Sequence, residues 1–184
     1  MLNKSKFKLS NILFVIAVAL LLYSPTRVWL LRQVAFSPSI EKIENLKEIE
    51  TYSWQLKGLN SSDIDFQSFQ NEVVLVNFWA TWCPPCKAEM PMLQSLYNDY
   101  KDKIRFVLVT NENWGVVQKY FEKENYNLPV YNSISYPPKN FTETNSIPAT
   151  YLINKKGQIV INKIGAANWN SKSVRNTIDQ LISE

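Results

Sequence analysis

The 184-residue chain has no histidine, two cysteines, three methionines and four glycines. Without imidazole, Ser–His–Asp and Cys–His nucleophilic schemes are excluded, together with most zinc-hydrolase ligand sets. Two thiols cannot build a disulfide-dense scaffold or fill a four-ligand structural zinc site. A strong acidic or basic bias is also missing from most of the chain. The formal charge is +4, but residues 1–33 carry Lys4, Lys6, Lys8, Arg27 and Arg32 and no acid. Of the 20 bases, 15 remain for residues 34–184 against 16 acids, a net of −1. The body therefore lacks the basic patch that a polyanion-binding domain needs, and no nucleic-acid partner is expected.

The long apolar run that is present lies at the N-terminus. "ILFVIAVALLLY" (Ile12–Tyr23) follows the three lysines and contains neither charge nor proline. It falls somewhat short of the ~20 residues that span a bilayer. Two readings compete, a cleaved signal peptide and an uncleaved signal-anchor. No clear small-residue cleavage pattern follows the run, which favours the anchor. Trp29 and Arg32 are candidate interface residues, and the lysines ahead of the run favour a cytoplasmic N-terminus with the rest exported. The expected organisation is an anchor over 1–33, a juxtamembrane spacer over 34–51 and one domain over 52–184.

The spacer segment Pro38–Glu50 places Ile40, Ile43, Leu46 and Ile49 at threefold spacing behind Ser39, which suggests a short helix or a linker. Tyr52–Asn60 reads as a strand, and Ser61–Phe69 as a loop or single helical turn. "EVVLVNFWA" (Glu72–Ala80) is a near-continuous β-branched and aromatic run suited to a strand covered on both faces. A helix is predicted from Pro84 to about Tyr100, a second strand over Ile104–Thr110 and a helix over Trp114–Asn125. "LPVYN" is a short extended piece and "TETN" a possible helical turn. "PATYLIN" and "QIVINKIG" form a hairpin through "KKG", and a last helix carries Val174, Ile178 and Leu181. Parallel crossovers followed by a hairpin imply an α/β fold with a mixed sheet.

Both cysteines fall in one motif, "CPPC", straight after the apolar strand. Pro84 suits the first helical turn, where its missing N–H would have no partner anyway. A thiolate at Cys83 then faces the positive helix end and can accept from the Cys86 N–H, which favours the charged form. Cys86, one turn inward, should be more buried. Such a pair supplies an attacking and a resolving thiol. A static disulfide closing so short a loop would add little stability.

"VVLVNFWATWCPPCKAEMP" and "SIPATYLIN" resemble the thioredoxin superfamily, and within it the TlpA/ResA/DsbE-like membrane-anchored thiol-disulfide oxidoreductases. The resemblance covers about residues 52–184. It implies a thioredoxin-like α/β/α sandwich with a mixed central sheet, preceded by one transmembrane helix. It implies catalysis by Cys83 and Cys86 with no cofactor and no metal. Substrate contacts are implied at Trp82, Pro84, Pro85, Ile147 and Pro148. Ile147–Pro148 matches the family's cis-proline dipeptide, and Pro91 the proline inside its active-site helix. Thioredoxins proper carry a buried aspartate where this chain has Asn77, so the usual proton acceptor is absent. Glu89 shares a helix face with Cys86 and is the candidate acid; Lys87 reads as a solvated neighbour. Trp82 has two readings, a packing aromatic beside the cysteine or plain core. The implied partners are a disulfide-containing exported protein, with apocytochrome c the substrate class of that branch, and a membrane thiol-electron carrier. A monomer is expected. The rival reading is a thioredoxin-like copper or heme-pathway chaperone using the same thiols, weakened by the absence of histidine and the scarcity of methionine.

Overall fold

The structure, a computed structural model, describes residues 9–34, 36–40 and 46–184. Lys4, Lys6 and Lys8, and Ile43 of the spacer, lie outside the described residues. Two helices open the chain, α1 (Leu9–Leu22) and α2 (Ser24–Val34). The domain then runs β1 (Gln55–Gly58), β2 (Ile64–Asp65), β3 (Val74–Phe78), α3 (Pro84–Tyr100), β4 (Arg105–Val109) and α4 (Trp114–Glu124). It ends with β5 (Val130–Ser133), β6 (Ala149–Ile153), β7 (Ile159–Ile164) and α5 (Lys172–Ser183).

The seven strands form one sheet in the order β2-β1-β5-β4-β3-β6-β7. β3, β4 and β5 are parallel, joined by α3 and α4. β6 joins β3 antiparallel and β7 joins β6 antiparallel. "LPVYN" is thus a sheet strand, β5, and β2 is a short strand absent from the expected order.

Side chains alternate across the sheet as a two-residue period requires. Leu75, Phe106, Leu108 and Leu152 face the layer holding Leu93 and Leu96 of α3, Val117 and Phe121 of α4, and Val174, Ile178 and Leu181 of α5. Val74, Val76, Val107, Val109 and Tyr151 face the other layer. That second layer is built of aromatics: Trp54, Phe66 and Phe141 pack around Phe78 and Tyr151, with ring centroids 4.9–6.3 Å apart. Two single 3-10 turns, Phe66–Phe69 and Lys139–Phe141, carry part of this layer. The helical turn expected at "TETN" therefore lies earlier, at Lys139–Phe141, where Phe141 buries its ring.

Over its described part the spacer is extended, not helical. Ile49 donates its N–H to Gly157 O, and Lys47 O accepts from Ile159, so residues 47–49 extend the pairing at the turn before β7. Ile49 is buried. The threefold spacing of isoleucines gives way to docking of one of them into the aromatic layer, since an unpaired short helix is marginal in water.

The N-terminal apolar run forms a helix as expected, α1, but one that ends in a sharp bend. α1 and α2 meet at a bend of 82°, and no single helix among the described residues is long and apolar enough to cross a membrane. Ser24-Pro25 breaks the run, because proline cannot supply the N–H that would continue it. Most side chains of α1 are exposed, including Leu9, Leu13, Phe14 and Val15. α2 lies against α3, and a cleft between Pro25, Val28 and Trp29 on one side and Lys87, Tyr120 and Lys123 on the other marks the contact.

Candidate active site

β3 ends at Phe78 and the chain turns through Trp79–Trp82 into α3. Cys83 is the N-cap of that helix, with extended backbone (φ −86°, ψ 107°), and Pro84 and Pro85 take its first positions. The Cys83 Sγ accepts from the Cys86 N–H at 3.2 Å. Because neither proline carries an N–H, the first helical turn offers this single backbone donor. Cys83 and Cys86 are joined as a disulfide, Cα to Cα 5.3 Å. Both sulfurs are buried in this disulfide form, so the expected difference in burial between Cys83 and Cys86 is barely present.

The Ile147–Pro148 bond is cis. It lies beside Cys83 because β6 pairs with β3, with Ala149 opposite Phe78. The Ile147 carbonyl oxygen sits 3.7 Å from the Cys83 Sγ. Trp82 is 70% exposed, so it is not core; it forms one wall of a groove of about 420 Å³ running past Phe78, Trp79, Glu112, Pro137 and Ile147. Glu112, after β4, accepts from the Thr81 backbone N–H and hydroxyl, clasping the turn that leads to Cys83. The indole N–H of Trp79 is buried and has no acceptor. Lys87 lies over the Tyr120 ring, 5.6 Å from its centroid, so it is a packed cation rather than a merely solvated one. Pro91 lies inside α3.

Glu89, one turn beyond Cys86, is fully buried. Its Oε1 accepts from Asn77 Nδ2 at 2.8 Å, and its Oε2 from Trp169 Nε1 at 3.0 Å and the Ala167 N–H at 3.3 Å. Asn77 Nδ2 also donates to Thr150 Oγ1 at 2.8 Å, its strand partner on β6. Burial pushes the Glu89 carboxyl up to about 8; the Trp169, Asn77 and Ala167 donors and the charge of Lys163 oppose the rise without cancelling it. That value lies close to the ordinary thiol value near 8.5.

The structure thus brings Cys83, Cys86, Trp82, Pro84, Pro85, Ile147 and Pro148 to one end of the sheet, with Glu89 buried one helical turn beyond Cys86. The Asn77 position, which sequence reading treats as a missing acid, is a direct partner of Glu89. Trp169 and Ala167 were not singled out from the sequence, and no local signal marks them: they lie about 80 residues from the helix they serve. Among the described residues no cluster of three or more potential metal-ligating side chains occurs.

Comparison with known proteins agrees with this geometry. The profile of the Redoxin family matches residues 38–181. Thiol-disulfide oxidoreductase ResA of Bacillus cereus is 30% identical over 156 residues, covering 83% of this chain and 87% of the relative. Sporulation thiol-disulfide oxidoreductase A of Bacillus subtilis is 27% identical over 143 residues, 75% of this chain and 86% of the relative. The crystal structure of StoA from Bacillus subtilis superposes with a TM-score of 0.53 at 26% identity, over 71% of this chain and 95% of that one. A thiol:disulfide interchange protein DsbE from Chlorobium tepidum shares the fold at TM-score 0.61 and 19% identity, over 75% of this chain and 99% of that one. With a redox-active cysteine pair at the start of α3 in a thioredoxin-like fold, the chain belongs to the Redoxin family and is a thiol-disulfide oxidoreductase of the ResA/StoA type.

Proposed function

We propose that this protein is an extracytoplasmic protein-disulfide reductase, held at the membrane by its N-terminal helices. The observation that carries the reductive direction is the first turn of α3. Pro84 and Pro85 leave one N–H, that of Cys86, to stabilise a Cys83 thiolate. A thiolate so sparingly stabilised is a weaker leaving group, so the reduced pair is not strongly favoured over the disulfide. Such a pair gives electrons away.

In the reaction, the Cys83 thiolate attacks a substrate disulfide and expels one substrate thiolate, forming a mixed disulfide. Glu89 in its ionised form takes the proton of the Cys86 thiol. The Cys86 thiolate then attacks the Cys83 sulfur, releasing the second substrate thiolate and closing the disulfide seen here. Two electrons have passed to the substrate, and a membrane dithiol electron carrier supplies two more to reduce the Cys83–Cys86 disulfide, itself becoming oxidised. An extended substrate strand pairs with the backbone at the half-buried Ile147, beside the wall formed by Trp82. Pro148 keeps that backbone in place, and Pro84 and Pro85 line the approach to Cys83. The family resemblance supports an exported protein as substrate, with apocytochrome c as its class. The charge pattern supports export of the domain: lysines before the apolar run, and no basic excess after residue 33. α1 covers about 21 Å at 1.5 Å per residue, less than the ~30 Å hydrocarbon core. Attachment therefore draws on residues flanking α1 as well.

A full chain carrying Cys86→Ser tests the reading. It is expected to trap exported proteins as mixed disulfides through Cys83. Equal trapping by Cys83→Ser would overturn the assignment of roles, and a potential near −120 mV, that of a strong oxidant, would overturn the direction.

A further inference from the structure

The shell around Glu89 is asymmetric in a way that decides where its proton can sit. Both partners of Oε2, the Trp169 indole N–H and the Ala167 backbone N–H, can only donate. A proton on Oε2 would point at other protons. The partner of Oε1 is different. Asn77 presents an amide, which donates from Nδ2 and accepts at Oδ1. Its Nδ2 sits 2.8 Å from Glu89 Oε1 and 2.8 Å from Thr150 Oγ1, while its Oδ1 is buried with no partner. The amide is nearly symmetric in shape, so a half-turn about its last torsion exchanges Oδ1 and Nδ2 with little steric change. After that turn Oδ1 faces both Oε1 and the Thr150 hydroxyl, and each of those groups can donate to it. One amide atom is left unpaired in either orientation, so neither is favoured on that count.

We propose that Asn77 is a two-way positioning residue whose amide orientation follows the protonation of Glu89, while Trp169 and the Ala167 N–H keep Oε2 bare and confine the exchangeable proton to Oε1. This rests on the reading that Glu89 exchanges a proton with Cys86. The arrangement in the structure, with Nδ2 toward Oε1, is the one that suits the ionised acid. The turned arrangement suits the neutral acid. The groups around Glu89 leave this control to the two side chains. β3 and β6 bring the neutral Asn77 and Thr150, and the segment before α5 brings Trp169. Lys163 of β7 is the charged group acting on it. Cys86 on its own helix is the thiol it serves. An aspartate at position 77 could not play both parts, because two adjacent carboxylates do not ionise independently.

The test uses the full chain in detergent. The rate of mixed-disulfide resolution is followed against pH for the wild type and for Glu89→Gln, Trp169→Phe and Asn77→Asp. In parallel, the side-chain amide resonances of Asn77 are followed by ¹⁵N NMR in the oxidised wild type. Trp169→Phe removes a donor to the charged acid and keeps an aromatic ring. It is expected to raise the midpoint of the Glu89 limb by about one to two pH units. Asn77→Asp is expected to split that limb into two steps. The Asn77 amide signals should move with the same midpoint as the wild-type limb. If Glu89→Gln leaves the pH profile intact, the role of Glu89 itself fails. If Glu89→Gln removes the limb while Trp169→Phe and Asn77→Asp keep the wild-type midpoint, or the Asn77 signals stay fixed through the titration, this inference fails and the role of Glu89 stands. Should either shell variant not fold, the wild-type amide signals alone decide.

Discussion

Glu89→Gln should flatten the pH dependence of stability in the oxidised chain. Burial raises the Glu89 carboxyl from 4.5 to about 8, and unfolding returns it to its ordinary value. Between those two pH values the folded protein holds a proton that the unfolded chain has released. Stability therefore falls as pH rises, since the slope follows protons bound unfolded minus protons bound folded. The contribution is fully present below about 4.5 and is lost as pH climbs through about 8. At ~1.4 kcal/mol per pH unit the total loss is at most about 5 kcal/mol. That is a large part of the ~5–15 kcal/mol that holds an ordinary domain together. Glutamine carries no ionisable proton. Its carbonyl can face Trp169 and Ala167, and its NH₂ can face a turned Asn77. Guanidinium unfolding of the full oxidised chain in detergent, read by tryptophan fluorescence from pH 5 to pH 9, measures the effect. The wild-type midpoint should fall from pH 5 to about pH 8 and level off beyond it, and Glu89→Gln should lack this component and overtake the wild type at the alkaline end. Equal slopes for the two proteins would refute the raised proton affinity of the buried acid.

Three further outcomes follow from the packing. Gly157 has φ +81°, and a Cβ there would stand 2.9 Å from the Tyr52 hydroxyl. Gly157→Ala should cost about 1–2 kcal/mol in chemical denaturation from the left-handed backbone alone, and no loss would show that the turn relaxes freely. Ile49→Ala should cost about 2–5 kcal/mol by the same measurement, because its side chain fills the aromatic layer from outside the strands. A loss within ~0.5 kcal/mol, typical of surface sites, would show that residues 47–49 are not part of the folded unit. Trp82→Ala should leave the unfolding midpoint within ~0.5 kcal/mol, as expected of an exposed side chain. It should still slow reaction with protein disulfides more than with a small disulfide such as oxidised glutathione. Equal slowing of both would remove Trp82 from the substrate wall.

How far the sequence reached depends on whether a feature is local. Helix α3 was legible at both ends: a β-branched run stops, Cys83 caps, Pro84 and Pro85 fill positions that need no N–H, and apolar spacing carries on to Tyr100. The hairpin at Lys155–Gly157 was legible for the same reason. β2 and β5 were not legible as sheet strands. Each is short, and the sheet gives it a partner that its own residues do not announce. The docking of residues 47–49 was not legible: the apolar spacing fits a helix or a linker alike, and only the fold brings Ile49 beside the turn before β7.

The cysteine pair and its place at a strand-to-helix junction were determined by the sequence alone, because capping and proline geometry act within a few residues. Tertiary structure decided what surrounds that pair. Pairing of β6 with β3 carries Ile147–Pro148 to Cys83 across 64 residues. Packing of the segment before α5 carries Trp169 to Glu89 across 80 residues. Glu89 looks from sequence like any helix glutamate. It becomes an acid that titrates near 8 only because three separate elements close over it and exclude water, and desolvation depends on the whole fold rather than on any neighbour in the chain.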